Sequence, residues 1–464
     1  MNRHLPRRKR GLSTAVIAAG LCALAASACS SSSSTQASAP ASGSQTTAAG
    51  SAATAATTGC SSSATQITFW GWVPGFDTIV KDFNQTHPSI CVTLQNVGSG
   101  TVEYNKLLLD IRGNKGLPDV AEVEYSALPE LEITNSLADL NQYGAKSVQS
   151  QFSSGFWSLV SHNGGVYAIP GDAGPMGLYV NTAFMKKYNL AIPTTWAQLA
   201  TEAVALHKAH PDVYLTNFSA VNTEGYDALL WQAGARPFSW SGTTATFDYT
   251  SPAANKVASY WQSLLDSHSV DTLAFGPALF KAMNTDTVGI GVFPAWGPSY
   301  FSGTASKATL GKWESAALPQ WTAGANVTAD WGGSAYTVFK SSAHPQAAAT
   351  FVMWMNATLA SWNKLSQAPS SLFPAYKPML ASSLLSSTTI ALSGASKYFV
   401  PFATSATEIG AGWSWSPFEI YGTTQMDDAM QKVVSGSSTI EQAMAGLQAT
   451  MDSYAKSQGF STGG

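Results

Sequence analysis

The residues of this 464-residue chain best suited to chemistry are carboxylates and indoles placed beside glycines or at the ends of apolar runs. Glu124 and Tyr125 close one such run, and Trp72 follows Trp70-Gly71. Asp172 lies between Gly171 and Gly174-Pro175. Trp296 precedes Gly297-Pro298, and Trp331 precedes Gly332-Gly333. Trp413 and Trp415 flank Ser414, so in an extended segment they face the same side. Carboxylates and amides hydrogen-bond the hydroxyls around the edge of a polar ring, while aromatic rings cover its C–H faces. This set of residue types therefore suits capture of a polyhydroxylated small molecule. Each residue also has a plainer role. Asp172 can be a turn carboxylate that caps backbone N–H groups, Glu124 a surface carboxylate, and the tryptophans core. Trp231 and Gln232 are not placed among the contacts.

Signatures of catalysis are missing. The chain has no H-E-x-x-H, no P-loop and no G-x-S-x-G, and Gly289-Ile290-Gly291 lacks the third glycine of a dinucleotide fingerprint. Glu124 and Asp172 are the pair that could flank a glycosidic bond. A secreted carbohydrate-active enzyme is therefore the rival to a non-catalytic binder. The seven histidines are scattered, so no metal site is expected, and nothing points to a cofactor.

Among the elements that must hold these residues, Gln66–Trp70 reads as a strand, Asp77–Thr86 as a helix stopped by His87-Pro88, and Cys91–Val97 as a strand. Tyr104–Arg112 reads as a helix and Asp119–Val123 as a third strand. This alternation predicts an α/β fold with a parallel sheet. Ligands of such sheets gather beyond the carboxyl ends of the strands. Those ends carry Trp70-Gly71-Trp72, Asn96 and Glu124-Tyr125.

The N-terminus predicts export. Arg3, Arg7, Arg8, Lys9 and Arg10 precede the apolar stretch 12–26, which is shorter than the roughly 20 residues of a membrane span. Ala26-Ser27-Ala28-Cys29 resembles a lipobox, in which the cysteine is acylated, although Ala26 stands where Leu is usual. Cleavage nearby without acylation is the alternative, and Arg7-Arg8 leaves twin-arginine export open. Residues 29–64 are almost wholly Ser, Ala, Thr and Gly, too polar to fold. As coil they would reach roughly 30 Å. The chain has 24 Lys and Arg against 27 Asp and Glu. With the five basic residues of the signal removed, 19 remain against 27, a charge of about −8 that argues against a nucleic-acid partner. Cys22 leaves with the signal and Cys29 takes the lipid, so Cys60 and Cys91 are expected to form a disulfide in an oxidising exterior.

The run Gly165–Asn181, followed by Pro193-Thr194-Thr195-Trp196, resembles the "Y-x-x-P-x-D-x-G-P-x-x-L-x-Y-N … P-x-T-W" text of family 1 extracellular solute-binding proteins, the maltose-binding-protein-like sugar receptors. Three further landmarks follow in order: Val288–Pro298, with Trp296 ahead of the Gly-Pro rather than after it, then Ala317–Gln320, then Trp331–Tyr336 with Ser342–Ala348. The resemblance spans about residues 66–455. It implies a two-lobed periplasmic-binding-protein-like fold, each lobe a mainly parallel sheet flanked by helices, with the ligand cleft between lobes. The implied division is signal 1–28, linker 29–64, first lobe 65–177, second lobe 178–330, return to the first lobe 331–400 and C-terminal helices of the second lobe 401–464. It also implies that Trp72, Glu124, Tyr125, Asp172, Trp296, Trp331, Gly333, Trp413 and Trp415 gather at the cleft. The expected function is capture of a sugar or short oligosaccharide for the membrane subunits of an ABC importer. The protein would be a monomer held at the outer face of the cell membrane by lipid. The same fold binding a peptide, a polyamine or another polar solute is the alternative.

Overall fold

The computed structural model describes residues 60–302, 309–367, 372–388, 390, 392–393 and 397–463. The expected export signal, Cys29 and nearly all of the linker lie outside the described residues.

Strand β1 (Thr65–Trp70), helix α1 (Phe76–Thr86), strand β2 (Ile90–Gln95), helix α2 (Thr101–Gly113) and strand β3 (Val120–Glu124) follow in order. α1 buries Phe76, Ile79, Val80 and Phe83, an i, i+3, i+4, i+7 stripe that holds it on the sheet. β1 lies between β2 and β3 and pairs with both in parallel. Two later strands complete this sheet. Ser334–Val338 runs antiparallel to β3 and to Ala168–Pro170, giving the order β2, β1, β3, 334–338, 168–170. Cys60 and Cys91 form a disulfide with a Cα separation of 5.5 Å across a sequence separation of 31. Closing a loop of that length removes roughly 3–4 kcal/mol of unfolded-chain entropy in the loop-closure description.

A second sheet has Met176–Asn181 at its centre, every residue of it buried. Ile290–Pro294 and Trp313–Ala317 flank it, both antiparallel to it. This corrects the expectation of a mainly parallel sheet in each lobe. The two flanking strands run in one direction, and the earlier strand is inserted between them running the other way. Periodicity identifies strands but carries no information on the order in which they pair. A third small sheet joins the hairpin Phe238–Ser241 and Thr244–Phe247 to the terminal strand Ser461–Thr462. Before it come the helices Glu419–Val434 and Ile440–Ser457, the latter opened by a capping box of Thr439 and Gln442. Among the described residues no helix is long and apolar enough to cross a membrane.

The chain passes between the two large sheets at 171–175 and again at 318–333. A third passage leads from Leu372 towards the helix Val400–Glu408, which packs on the second sheet. These passages lie side by side. Asp172 bridges Pro374, Pro175 bridges Asp330, and the Ala173 N–H donates to the Phe373 carbonyl at 2.7 Å.

Candidate functional site

A cavity of about 480 Å³ opens where the passages meet the end of β3. One wall is acidic. Side chains on a strand alternate between faces, so Glu122 and Glu124 of β3 point the same way. Glu122 is fully buried. Its Oε2 accepts the Trp72 backbone N–H at 2.9 Å, and its Oε1 accepts from no protein group. Glu124 is half-buried; its Oε2 accepts the Tyr104 hydroxyl from α2 at 2.8 Å. Asp172, also buried, accepts the Ser334 backbone N–H at 3.1 Å. Glu224 opens the helix Glu224–Gln232 and completes the wall.

Burial dominates the electrostatics of this wall, because a charge loses its hydration there. It pushes Asp172 up to about 7 against the pull of the Ser334 N–H, with the charge of Glu124 adding to the rise. It pushes Glu224 to about 8, again with Glu124 adding. Glu122 is held well above the usual carboxylate range by burial and then by Asp172. Burial raises Glu124 too, opposed by the Tyr104 hydrogen bond.

The facing wall is aromatic. Trp296 donates its Nε1–H to the Trp331 carbonyl at 2.7 Å. Its ring meets Trp331 edge-on at 5.7 Å and Tyr300 at 5.4 Å. Phe275 packs on Trp331 at 5.3 Å, and Trp72 closes the rim edge-on to Tyr104. Two glycines let the passages touch. A Cβ at Gly174 would lie 1.8 Å from the Trp331 carbonyl oxygen. Gly333 has φ +90°, and its Cβ would lie 2.7 Å from the Asp172 carbonyl oxygen. Asp330 accepts the Gly174 N–H at 2.8 Å and ties the same turn. A larger cavity of about 660 Å³ lies between Gln262–Thr272 and Val433–Gln442, but among the described residues it has no tryptophan or phenylalanine in its lining.

Of the nine residues expected at the cleft, Trp72, Glu124, Asp172, Trp296, Trp331 and Gly333 line this cavity. Tyr125, Trp413 and Trp415 do not, which corrects their expected placement. Tyr125 follows Glu124 and so points to the opposite face, where its ring stacks on Phe156 at 5.9 Å. Trp413 and Trp415 do share one side of an extended segment, but that side faces the core. Trp413 lies flat on Trp231 at 5.1 Å and 5°, Trp415 stands edge-on to Trp413, and each is 5% exposed. The sequence reading missed Glu122, Glu224, Phe275 and Tyr300. Glu122 was accessible to it, because a strand that presents Glu124 presents the residue two before it. Glu224 and Phe275 arrive from distant segments with no local pattern to mark them.

The ABC transporter associated binding protein from B. animalis subsp. lactis Bl-04, solved with beta-1,6-galactobiose, is similar to this chain. The two are 29% identical with a TM-score of 0.71, covering 86% of this chain and all of the other. The galacto-N-biose-/lacto-N-biose I-binding protein of Bifidobacterium longum, solved with lacto-N-biose, is 24% identical with a TM-score of 0.74, covering 87% and 100%, and shares the two-lobed fold. The arabinooligosaccharide-binding protein of Halalkalibacterium halodurans is 22% identical over 304 residues, 63% of this chain and 67% of its own length. The family model for bacterial extracellular solute-binding proteins matches residues 71–358, more than half of the chain, and the protein belongs to that family.

Proposed function

We propose that this protein captures a short oligosaccharide in the cleft and delivers it to the membrane subunits of an ABC importer. The observation that carries the reading is one cavity with a hydrogen-bonding acidic wall facing an aromatic wall, set where the passages between the two sheets converge. Its volume of about 480 Å³ falls within the roughly 300–1,000 Å³ of small-molecule sites. The relative that binds beta-1,6-galactobiose, at 29% identity, supports a saccharide as the ligand class. A ligand held by residues from both sheets favours a closed arrangement, because only that arrangement makes both sets of contacts. The reading is of a binder without turnover. Glu124 is engaged by Tyr104 and Asp172 by Ser334, so both carboxylates have positioning partners in the free protein.

Titration calorimetry with beta-1,6-galactobiose, lacto-N-biose and arabinotriose, with thin-layer chromatography of the same mixtures, tests this. Saturable binding with no cleavage product is expected. Monosaccharide product would make the protein a hydrolase, and silence towards all three would remove the saccharide reading. The protein is further read as a monomer anchored outside the cell by acylated Cys29. Cys29→Ser should release it from the membrane fraction or leave it unprocessed, and wild type that takes up no palmitate analogue refutes the anchor.

A further inference from the structure

Apart from the passages, the two lobes also meet at a stacked pair of rings. His162 sits on the hairpin 161–166, which leads into the strand Ala168–Pro170 of the first sheet. Trp240 sits on the hairpin of the third sheet, which packs through the helices Ile440–Ser457 and Pro252–Asp266 onto Trp196–Ala209. The segment after that last helix joins the second sheet, where the Ile290 N–H donates to the Leu215 carbonyl at 2.7 Å. The His162 and Trp240 rings lie 4.0 Å apart and 27° from parallel.

His162 has a partner in its own lobe too. Its Nδ1–H donates to Oε1 of Glu132, at the end of the helix Leu128–Glu132, at 2.7 Å. The Trp240 backbone carbonyl is a second acceptor beside the same ring. A neutral imidazole has one N–H to offer two acceptors, and an imidazolium has two. An imidazolium also places a cation over the face of an indole. Each contact of His162 thus strengthens when the ring takes a proton, and the ring and carbonyl of Trp240 belong to the other lobe. We propose that His162 is a proton-dependent clasp between the lobes, its protonated ring gripping Trp240 and favouring the arrangement in which the first lobe and this hairpin touch.

The surroundings agree with a charged ring. The hydrogen bond to Glu132 holds the imidazole above the ordinary histidine value of 6.5 against partial burial, and the Trp240 carbonyl adds to the rise. Other titratable groups on nearby elements are engaged elsewhere or neutral. Glu130 faces the Ile420 N–H and Arg112, and Asp139 accepts the Asn141 and Val166 N–H groups. Burial raises Tyr167, so it stays uncharged. The helix Ser154–Leu159 and the hairpin 238–247 carry no titratable side chain. Separating the lobes takes Trp240 from the ring and leaves Glu132, so His162 gives up its proton more readily in the separated form. Each unit between the two midpoints shifts the ratio of touching to separated forms tenfold. Acid therefore favours contact and alkali releases it. A ligand captured by closure of the same lobes is held more tightly at acid pH through His162.

The test uses full-length protein free of ligand, so its failure leaves the capture reading untouched. The His162 ring resonances, assigned by their loss in His162→Gln, are titrated by NMR. Wild type should titrate above 6.5. Glu132→Gln and Trp240→Ala should each lower that midpoint by roughly half a unit or more. Small-angle X-ray scattering at about pH 5.5 and about pH 8.5, either side of the histidine range, should give a smaller radius of gyration for wild type at the lower pH and no change for His162→Gln. A wild-type radius that is the same at both pH values overturns the proposal. So does a change that His162→Gln shows equally, which would pass the effect to Asp172 and Glu224. A midpoint lowered by Glu132→Gln but untouched by Trp240→Ala makes His162 an ion-pair partner within the first lobe alone, and also overturns it. Should Trp240→Ala fail to fold, the scattering of wild type against His162→Gln still decides.

Discussion

Two groups of tryptophans sit in contrasting parts of this molecule. Trp296 and Trp331 meet edge-on beside the carboxylates, with Trp296 half-buried and its N–H tied to a backbone carbonyl. Trp231, Trp413 and Trp415 form a cluster within the core, and the Trp413 Nε1 has no hydrogen-bond partner. Residue type is alike in the two groups. What separates them is the company they keep: polar groups and cavity for the first, other indoles for the second. A tryptophan in the first group lines the cavity, and one in the second is a packing element.

The largest expected effect sharpens that contrast on the packing side. Trp413→Ala removes an indole stacked on Trp231 and should cost about 3–5 kcal/mol of stability, read from urea unfolding, while the folded variant binds ligand as wild type does. Weakened binding at unchanged stability would place Trp413 functionally with the cleft.

The acidic wall should make stability pH-dependent. Asp172 rises from 3.8 to about 7 in the folded protein. The folded state thus holds a proton that the unfolded chain has already released, so the stabilisation is complete below pH 3.8 and is lost as pH climbs through about 7. Each pH unit in that window is about 1.4 kcal/mol, giving a fall of up to about 4 kcal/mol between pH 4 and pH 8. Unfolding midpoints that rise over the same interval would show these carboxylates to be ionised and well solvated.

Asp172→Asn keeps an oxygen for the Ser334 N–H and removes the charge. Ligand affinity should drop about ten- to a hundredfold, or about 1.4–2.7 kcal/mol, with no hydrolysis by either protein and a gain of stability at pH 8. Normal binding with lower stability would make Asp172 a turn residue only. The smallest effect belongs to the aromatic wall. Trp296→Ala should weaken binding at least tenfold, about 1.4 kcal/mol, and lower the melting temperature far less than Trp413→Ala. A melting loss equal to that of Trp413→Ala would erase the distinction between the two groups.

Much of the architecture is legible in the sequence. The strand β2 and the helix α1 both appear within a residue or two of where the sequence puts them, and the stripe of α1 is the face it buries. The disulfide followed from counting cysteines. Six of the nine cleft candidates line the cavity because glycines and strand ends mark places where backbones approach closely. The sequence alone thus determined which segments are strands and helices and which turns are tight, since propensity, periodicity and glycine requirements act over a few residues. Only the tertiary structure decided that the second sheet is antiparallel, that Tyr125 and the Trp413 pair turn to the core, and that Glu224 and Phe275 complete the cleft. Those outcomes depend on contacts between segments distant in the chain, for which neighbouring residues carry no signal.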